Sequence, residues 1–207
     1  MNLKINKLYQ KIKNRYAVHA GLWIHRNDIR MVVGAGGFFQ NGWIPTDIDT
    51  LNIARKRDWG KLFRENSIHA ILAEHVWEHL TLEDGALTVQ NCFMYLKTGG
   101  YLRIAVPDGF HPDPGYIDYV KIGGSGPGAD DHKVLYTYKS LGALLTQAGF
   151  KVNPLEFFDE NGNFHASDWN PSTGKINRSI RFDKRNEDGL PHYTSLIVDA
   201  IKESPQN

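Results

Sequence analysis

Two short stretches hold the residues best suited to chemistry. Gly34-Ala35-Gly36-Gly37 follows an apolar run, and Asp47 comes 13 residues after Gly34. Glycines at such a point let the main chain turn sharply and let a ligand lie against bare backbone. A carboxylate beyond the next apolar run can accept hydrogen bonds from both hydroxyls of a ribose. Asp47 is the first choice for that contact and Asp49 the second, the plainer role of Asp47 being a turn or cap carboxylate. A phosphate cradle does not fit. A dinucleotide fingerprint needs glycine where Phe39 stands and an acid about 20 residues on, and no Gly-Lys-Ser/Thr closes the turn. An oxidoreductase using a nicotinamide cofactor therefore ranks last.

The second stretch, His75-Val76-Trp77-Glu78-His79, spells the inverted zinc-protease signature H-x-x-E-H. On a helix His75 and His79 would share a face and could bind zinc, with Glu78 as general base. Here the stretch directly follows a buried-type apolar run, and Thr81 opens a new helix two residues later. A zinc hydrolase is thus an outside alternative and no metal is expected; Glu78 and His79 are expected to tie down a strand-to-helix turn. Imidazole is also the natural general base near neutral pH. The candidates are His75, then His132 in Asp130-Asp131-His132-Lys133, and His111 beside Pro112.

These residues need elements to position them. Ile29–Val33, Trp43–Ile48, Ile68–Ala73, Tyr101–Val106, Phe150–Phe158 and Tyr193–Ile201 read as strands. Between the third and fourth, Thr81 and Asp84 make a capping pattern. Leu82, Ala86, Val89, Phe93 and Leu96 follow at helical spacing, with Lys97 in the last turn and Gly99-Gly100 as the stop. A second helix carries Leu141, Leu144, Leu145 and Ala148, with Ser140 as its cap and Gly149 at its end. A Gly-rich loop spans Gly123–Gly128, and residues 159–192, too long for a simple turn, are expected to form a hairpin extension or flap. Strands alternating with helices predict an α/β fold with a mostly parallel sheet and helices on both faces. A ligand in such a sheet sits beyond the carboxyl ends of the strands.

Composition narrows the class. The 207 residues are 41% hydrophobic and 23% charged, ordinary for one globular domain spanning 1–207. Cys92 is the sole cysteine, which excludes an internal disulfide and a thiolate metal cluster. No apolar run spans a bilayer and no signal peptide opens the chain, so a cytoplasmic protein is expected. Residues 1–30 carry seven Lys or Arg against Asp28 alone, inside a net charge of only +1. Leu8, Ile12 and Tyr16 lie four apart, so residues 1–28 read as a basic helical extension with one apolar stripe. It is expected to pack on the domain with a solvated lysine face; peripheral contact with an anionic membrane is the sharper alternative. The modest overall charge disfavours nucleic acid.

The combination of a glycine turn, an acid for a ribose and no pyrophosphate site suits S-adenosylmethionine, an adenosine joined to an amino acid through a sulfonium. The ordered series VVGAGG, GWIPTDID, AILAEHVWEHL, YLKTGGYLRIAVPD and LGALLTQAGF resembles the class I S-adenosylmethionine-dependent methyltransferases, in particular a branch whose glycine turn runs almost directly into a Gly-Trp-x-x-x-Asp strand. The resemblance covers residues 29–152, and TSLIVDAI suits that family's last, antiparallel strand. It implies a Rossmann-like three-layer α/β/α fold and transfer of a methyl group to a small-molecule or glycan acceptor, through oxygen first. Gly34, Ala35 and Gly36 would line the methionine portion of the cofactor, Asp47 its ribose, and Glu74 and His75 the adenosine or the transferred methyl, with Asp58 or Trp59 at the adenine. Two departures stand out. Val32 occupies the place of a frequent acid, and only nine residues run from Gly34 to Gly42, short of the dozen or so a parallel crossover usually takes. A non-catalytic binding module on the same fold is the corresponding alternative.

Overall fold

In the computed structural model, which describes residues 3–37 and 39–204 and the side chains from 13 onward, the apolar runs become one sheet. Its strands are β1 (Ile29–Val33), β2 (Ile44–Pro45), β3 (Ile68–Glu74), β4 (Leu96–Pro107), β5 (Lys151–Phe158), β6 (Phe164–Ala166) and β7 (Ser195–Ile201), in the order β2-β1-β3-β4-β7-β5-β6. The pairs among β1, β2, β3 and β4 are parallel; β7 enters antiparallel between β4 and β5, as expected of the last strand. The carboxyl ends of β1, β3, β4 and β5 therefore share one edge with the start of β7. The helices are α1 (Leu3–Ile24), α2 (Lys56–Leu62), α3 (Leu82–Tyr95), α4 (Pro114–Val120) and α5 (Tyr138–Gln147).

Side chains alternate across the sheet into two cores. Met31 and Val33, Ile71 and Ala73, Ile104 and Val106 face one way, against Val18 of α1, Trp59 of α2, Val89 and Cys92 of α3, and Leu141 and Leu145 of α5. Val32, Leu72, Ala105 and Ile197 face the other way, against Trp169, Ile176 and Phe182. Both faces are covered, but the second by the irregular segment 159–192 rather than by the helices expected there. Crossover handedness supplies the reason. Connections from β2 to β3 and from β3 to β4 run in one direction along the sheet, and right-handed crossovers put their helices on one face. The β1–β2 connection runs the opposite way, so its helix would cover the other face. Its described residues form only turns, and that face is left to the later segment.

Buried polar groups hold the segment down. Glu156 of β5, 1% exposed, accepts from Trp169 Nε1, Ile180 N–H and the Thr194 hydroxyl at 2.9, 2.8 and 3.0 Å. Arg103 of β4 forms a two-bond pair with Asp199 of β7 at 2.7 and 2.8 Å and donates to Gly174 C=O at 2.7 Å. Segment 159–192 does begin as a hairpin, β5–β6.

Several local expectations shift. Trp43–Ile48 shortens to the two-residue β2. Thr81 caps α3 through Asp84 N–H at 3.1 Å, yet the buried face is Gly85, Thr88, Val89, Cys92 and Tyr95, while Leu82 is 66% exposed. Small residues let neighbours come close to the helix: a Cβ on Gly85 would sit 3.2 Å from the hydroxyl of Tyr136, in the loop before α5. Thr88 satisfies its own hydroxyl on Asp84 C=O at 2.7 Å. The helix ends at Tyr95 rather than at Gly99, and Lys202 Nζ reaches the terminal carbonyls of Phe93 and Leu96 at 2.7 and 2.8 Å, a cation where the helix dipole favours one. The cap of α5 is Thr137, with Ser140 completing a reciprocal capping box. On α1, Tyr16 is 76% exposed and the packed positions are Val18 and Gly21, the latter against Ile44. The side chains of Leu8 and Ile12 lie outside the described residues. No described helix is long and apolar enough to cross a membrane.

Candidate active site

The glycine turn opens a cleft at the carboxyl edge of the sheet. Gly34, Gly36 and Gly37 have φ of +60°, +52° and +92°, the left-handed region that side chains disfavour. A Cβ on Gly34 would in addition stand 2.5 Å from Val76 Cγ2. The turn is pinned from just past β2, where Ala35 N–H donates to Thr46 C=O at 3.0 Å and Thr46 N–H to Val32 C=O at 2.7 Å. The cleft measures about 790 Å³, and its walls include Gly34, Gly36, Glu74, His75, His132 and Arg178.

Asp47 is half-buried beside the turn: Oδ2 accepts from Gly36 N–H at 3.3 Å and Oδ1 from its neighbour Ile48 N–H at 2.8 Å. It meets the cleft through Gly36 rather than as part of the wall. Asp49 is exposed in the next turn. Glu74, at the end of β3, does line the cleft, and its carboxylate gathers segment 159–192 to the sheet. It accepts from Asn177 N–H and Nδ2 at 3.1 Å and from Arg178 N–H at 2.8 Å.

His75 follows β3 with its N–H still donating to Ala105 C=O at 2.8 Å, but at φ +56°. A left-handed histidine is held only where its surroundings over-determine it. Here Nε2 lies 2.9 Å from Ser195 Oγ, at the head of β7, and Nδ1 lies 3.0 Å from Glu78 Oε1. This bend also settles the H-x-x-E-H motif. Trp77–His79 form one 3-10 turn, not an α-helix, so His75 and His79 do not stand one above the other as a protease pair requires. Glu78 is fully buried, and its main-chain carbonyl, not its carboxylate, takes the turn's hydrogen bonds, from Lys133 and Val134 N–H at 2.7 and 3.3 Å.

His132 comes to the same place: it is buried, with Nδ1 donating to Val120 C=O at 2.7 Å. His75 and His132 also line a smaller cavity of about 110 Å³ next to the cleft, together with Tyr119, Arg178, Arg185 and Tyr193. His111 does not join them. It stacks on Tyr116 at 3.9 Å and lies against Phe158, its Nε2 3.2 Å from Pro191 C=O, and burial lowers its pKa. Trp59 is core, fully buried, donating to Ile53 C=O at 2.9 Å and stacked on Tyr95. Asp58 pairs with Lys61 on α2 at 2.7 Å. Neither is placed for an adenine. Sequence reasoning missed Asn177, Arg178, Arg185 and Ser195; they lie in or just after the aromatic-dotted polar stretch, where no spacing marks them.

With this geometry the chain has the class I S-adenosylmethionine-dependent methyltransferase fold. It is similar to a SAM-dependent methyltransferase from Archaeoglobus fulgidus, 18% identical over 90% of this chain and 92% of that one, with a TM-score of 0.50. A chain from the complex between the Haloferax volcanii Trm112 methyltransferase activator and its methyltransferase partner is 9% identical over 96% and 94%, also with a TM-score of 0.50. No protein-family model and no curated protein matches the sequence.

Proposed function

We propose that the protein transfers a methyl group from S-adenosylmethionine to an oxygen of a small-molecule or glycan acceptor. The observation that carries this reading is the cleft itself: a left-handed glycine turn after β1, backed by Asp47 and opposed by Glu74 and His75 from the end of β3. Backbone of Gly34–Gly36 takes the amino-acid end of the cofactor and Asp47 its ribose, leaving the sulfonium toward His75. The body of the acceptor occupies the smaller cavity, where Tyr119 and Tyr193 offer rings and Arg178 and Arg185 positive charge, and its reactive end points into the cleft. Methyl transfer needs in-line alignment more than covalent help; His75 or His132, which line both cavities, takes the proton of the acceptor hydroxyl.

Calorimetry with S-adenosylhomocysteine tests this. The folded protein should bind it in the micromolar range, and Asp47→Ala should weaken binding by roughly ten- to a hundredfold, as loss of hydrogen bonds to a charged acceptor of about 1.5–3 kcal/mol implies. Absence of binding by folded protein at high micromolar ligand would refute the reading. Unchanged affinity in Asp47→Ala would move the ribose contact elsewhere.

A further inference from the structure

Glu78 is buried with neither carboxylate oxygen accepting a hydrogen bond. His75 Nδ1, 3.0 Å from Oε1, lies outside hydrogen-bond geometry. A buried carboxylate without donors is costly unless a cation stands against it. One ligand atom each from Glu78, His79 and His132 lie within 4.8 Å of one another. The two imidazoles meet edge to face, 4.8 Å between centroids. Each turns Nδ1 to an oxygen: His132 to Val120 C=O at 2.7 Å, His79 to the Asp131 carboxylate at 3.4 Å. That leaves Nε2 of each ring as the second donor position, with an outer-shell oxygen on the other nitrogen, the pattern that orients metal-bound histidines.

We propose that Glu78, His79 and His132 hold a divalent transition-metal ion of the zinc type, with a remaining coordination position open to the cleft that all three line. Zinc at about 2.0–2.2 Å from N and O ligands sets them roughly 3.4 Å apart in a tetrahedron, so inward movement of under about 1 Å per side chain closes the site. Two imidazoles, one carboxylate and an open place are the donor set of a site that binds a substrate oxygen. This is not the site the H-x-x-E-H spacing suggested: His75 is engaged by Ser195, and the third ligand comes from the distant His132. The open position takes the acceptor's oxygen and leaves His75, not His132, to take its proton, a point that rests on the methyl-transfer reading; binding of the ion does not.

The test is titration of the chelator-treated full chain with Zn²⁺ by calorimetry and with Co²⁺ by visible absorption. One equivalent per chain should bind at micromolar metal, with the cobalt bands of a four-coordinate site. His79→Ala and His132→Ala should each abolish stoichiometric uptake, while the exposed-site variants His165→Ala and His192→Ala keep it. Should the ligand variants not fold by circular dichroism, Asp131→Asn, on the exposed outer shell, should weaken binding by about tenfold or more. No uptake by the unaltered chain, or full uptake by folded His79→Ala and His132→Ala, or an Asp131→Asn affinity equal to the unaltered chain's, would overturn the site. S-adenosylhomocysteine binding measured on the same samples separates the two ideas: zinc taken up without the nucleoside would sink the methyl-transfer reading alone.

Discussion

Gly34 and His75 share a left-handed backbone at the head of the cleft, for opposite reasons. Gly34 is there because nothing larger fits; His75 is there although it is strained, by a cost of about 1–3 kcal/mol, because Ser195 and Glu78 flank its ring. Gly34→Ala should therefore lower stability by about 2 kcal/mol or more, combining the left-handed penalty with the 2.5 Å approach to Val76. It should also reduce S-adenosylhomocysteine affinity. Urea midpoints and calorimetry check both, and a variant as stable as the unaltered chain would contradict the account. At this scale the sequence was informative where a residue's type has one geometric use. The glycine turn was legible for that reason. Trp59 and His111 were not, because a polar aromatic has the same appearance in a core as in a site, and only the partners Ile53 C=O and Tyr116 distinguish them.

The element that explains most of this molecule is one that is missing. With no helix among the described residues between β1 and β2, the second face of the sheet depends on segment 159–192, and that segment depends on Glu156, Arg103 and Glu74. Glu156→Ala would leave Trp169 Nε1, Ile180 N–H and the Thr194 hydroxyl without their acceptor. Unsatisfied buried donors cost about 1–3 kcal/mol each and do not simply add, so a loss of at least about 3 kcal/mol is expected, together with faster proteolytic cleavage within 159–192. Cleavage at the unaltered rate would show that apolar packing alone holds the segment. The short connection was visible in the spacing from Gly34 to Gly42. What replaced its helix was not, since Trp169, Ile176 and Phe182 follow neither a helical nor a strand period. The face of α3 misled for a related reason: Gly85, Thr88 and Cys92 are poor in apolar signal but good at close packing.

At the scale of the whole molecule, the strand ends are joined by Asp108. Its buried carboxylate accepts from Phe110 N–H at 2.9 Å and from Phe158 N–H, the end of β5, at 2.7 Å. Desolvation outweighs those two bonds and pushes its pKa up to about 6 from an ordinary 3.8. The folded state then holds more protons than the unfolded one between those values. Stability should fall as pH rises from about 4 to 6 and stay lower above, by a contribution on the order of 3 kcal/mol. Denaturant titrations of the unaltered chain and Asp108→Asn should give curves whose difference changes across that window; parallel curves would reject the assignment.

The sequence by itself determined the strand–helix order, the mostly parallel sheet, the glycine turn and the shortened crossover, while the antiparallel last strand came from the family resemblance. Period, capping chemistry and φ-permissive residues are local properties, readable wherever they occur. Only the tertiary structure decided what covers the second face, which histidines reach the cleft, and that Glu78, His79 and His132 converge. Those are contacts between residues far apart in the chain, fixed by how β3, β7 and the loop before α5 meet at one edge of the sheet.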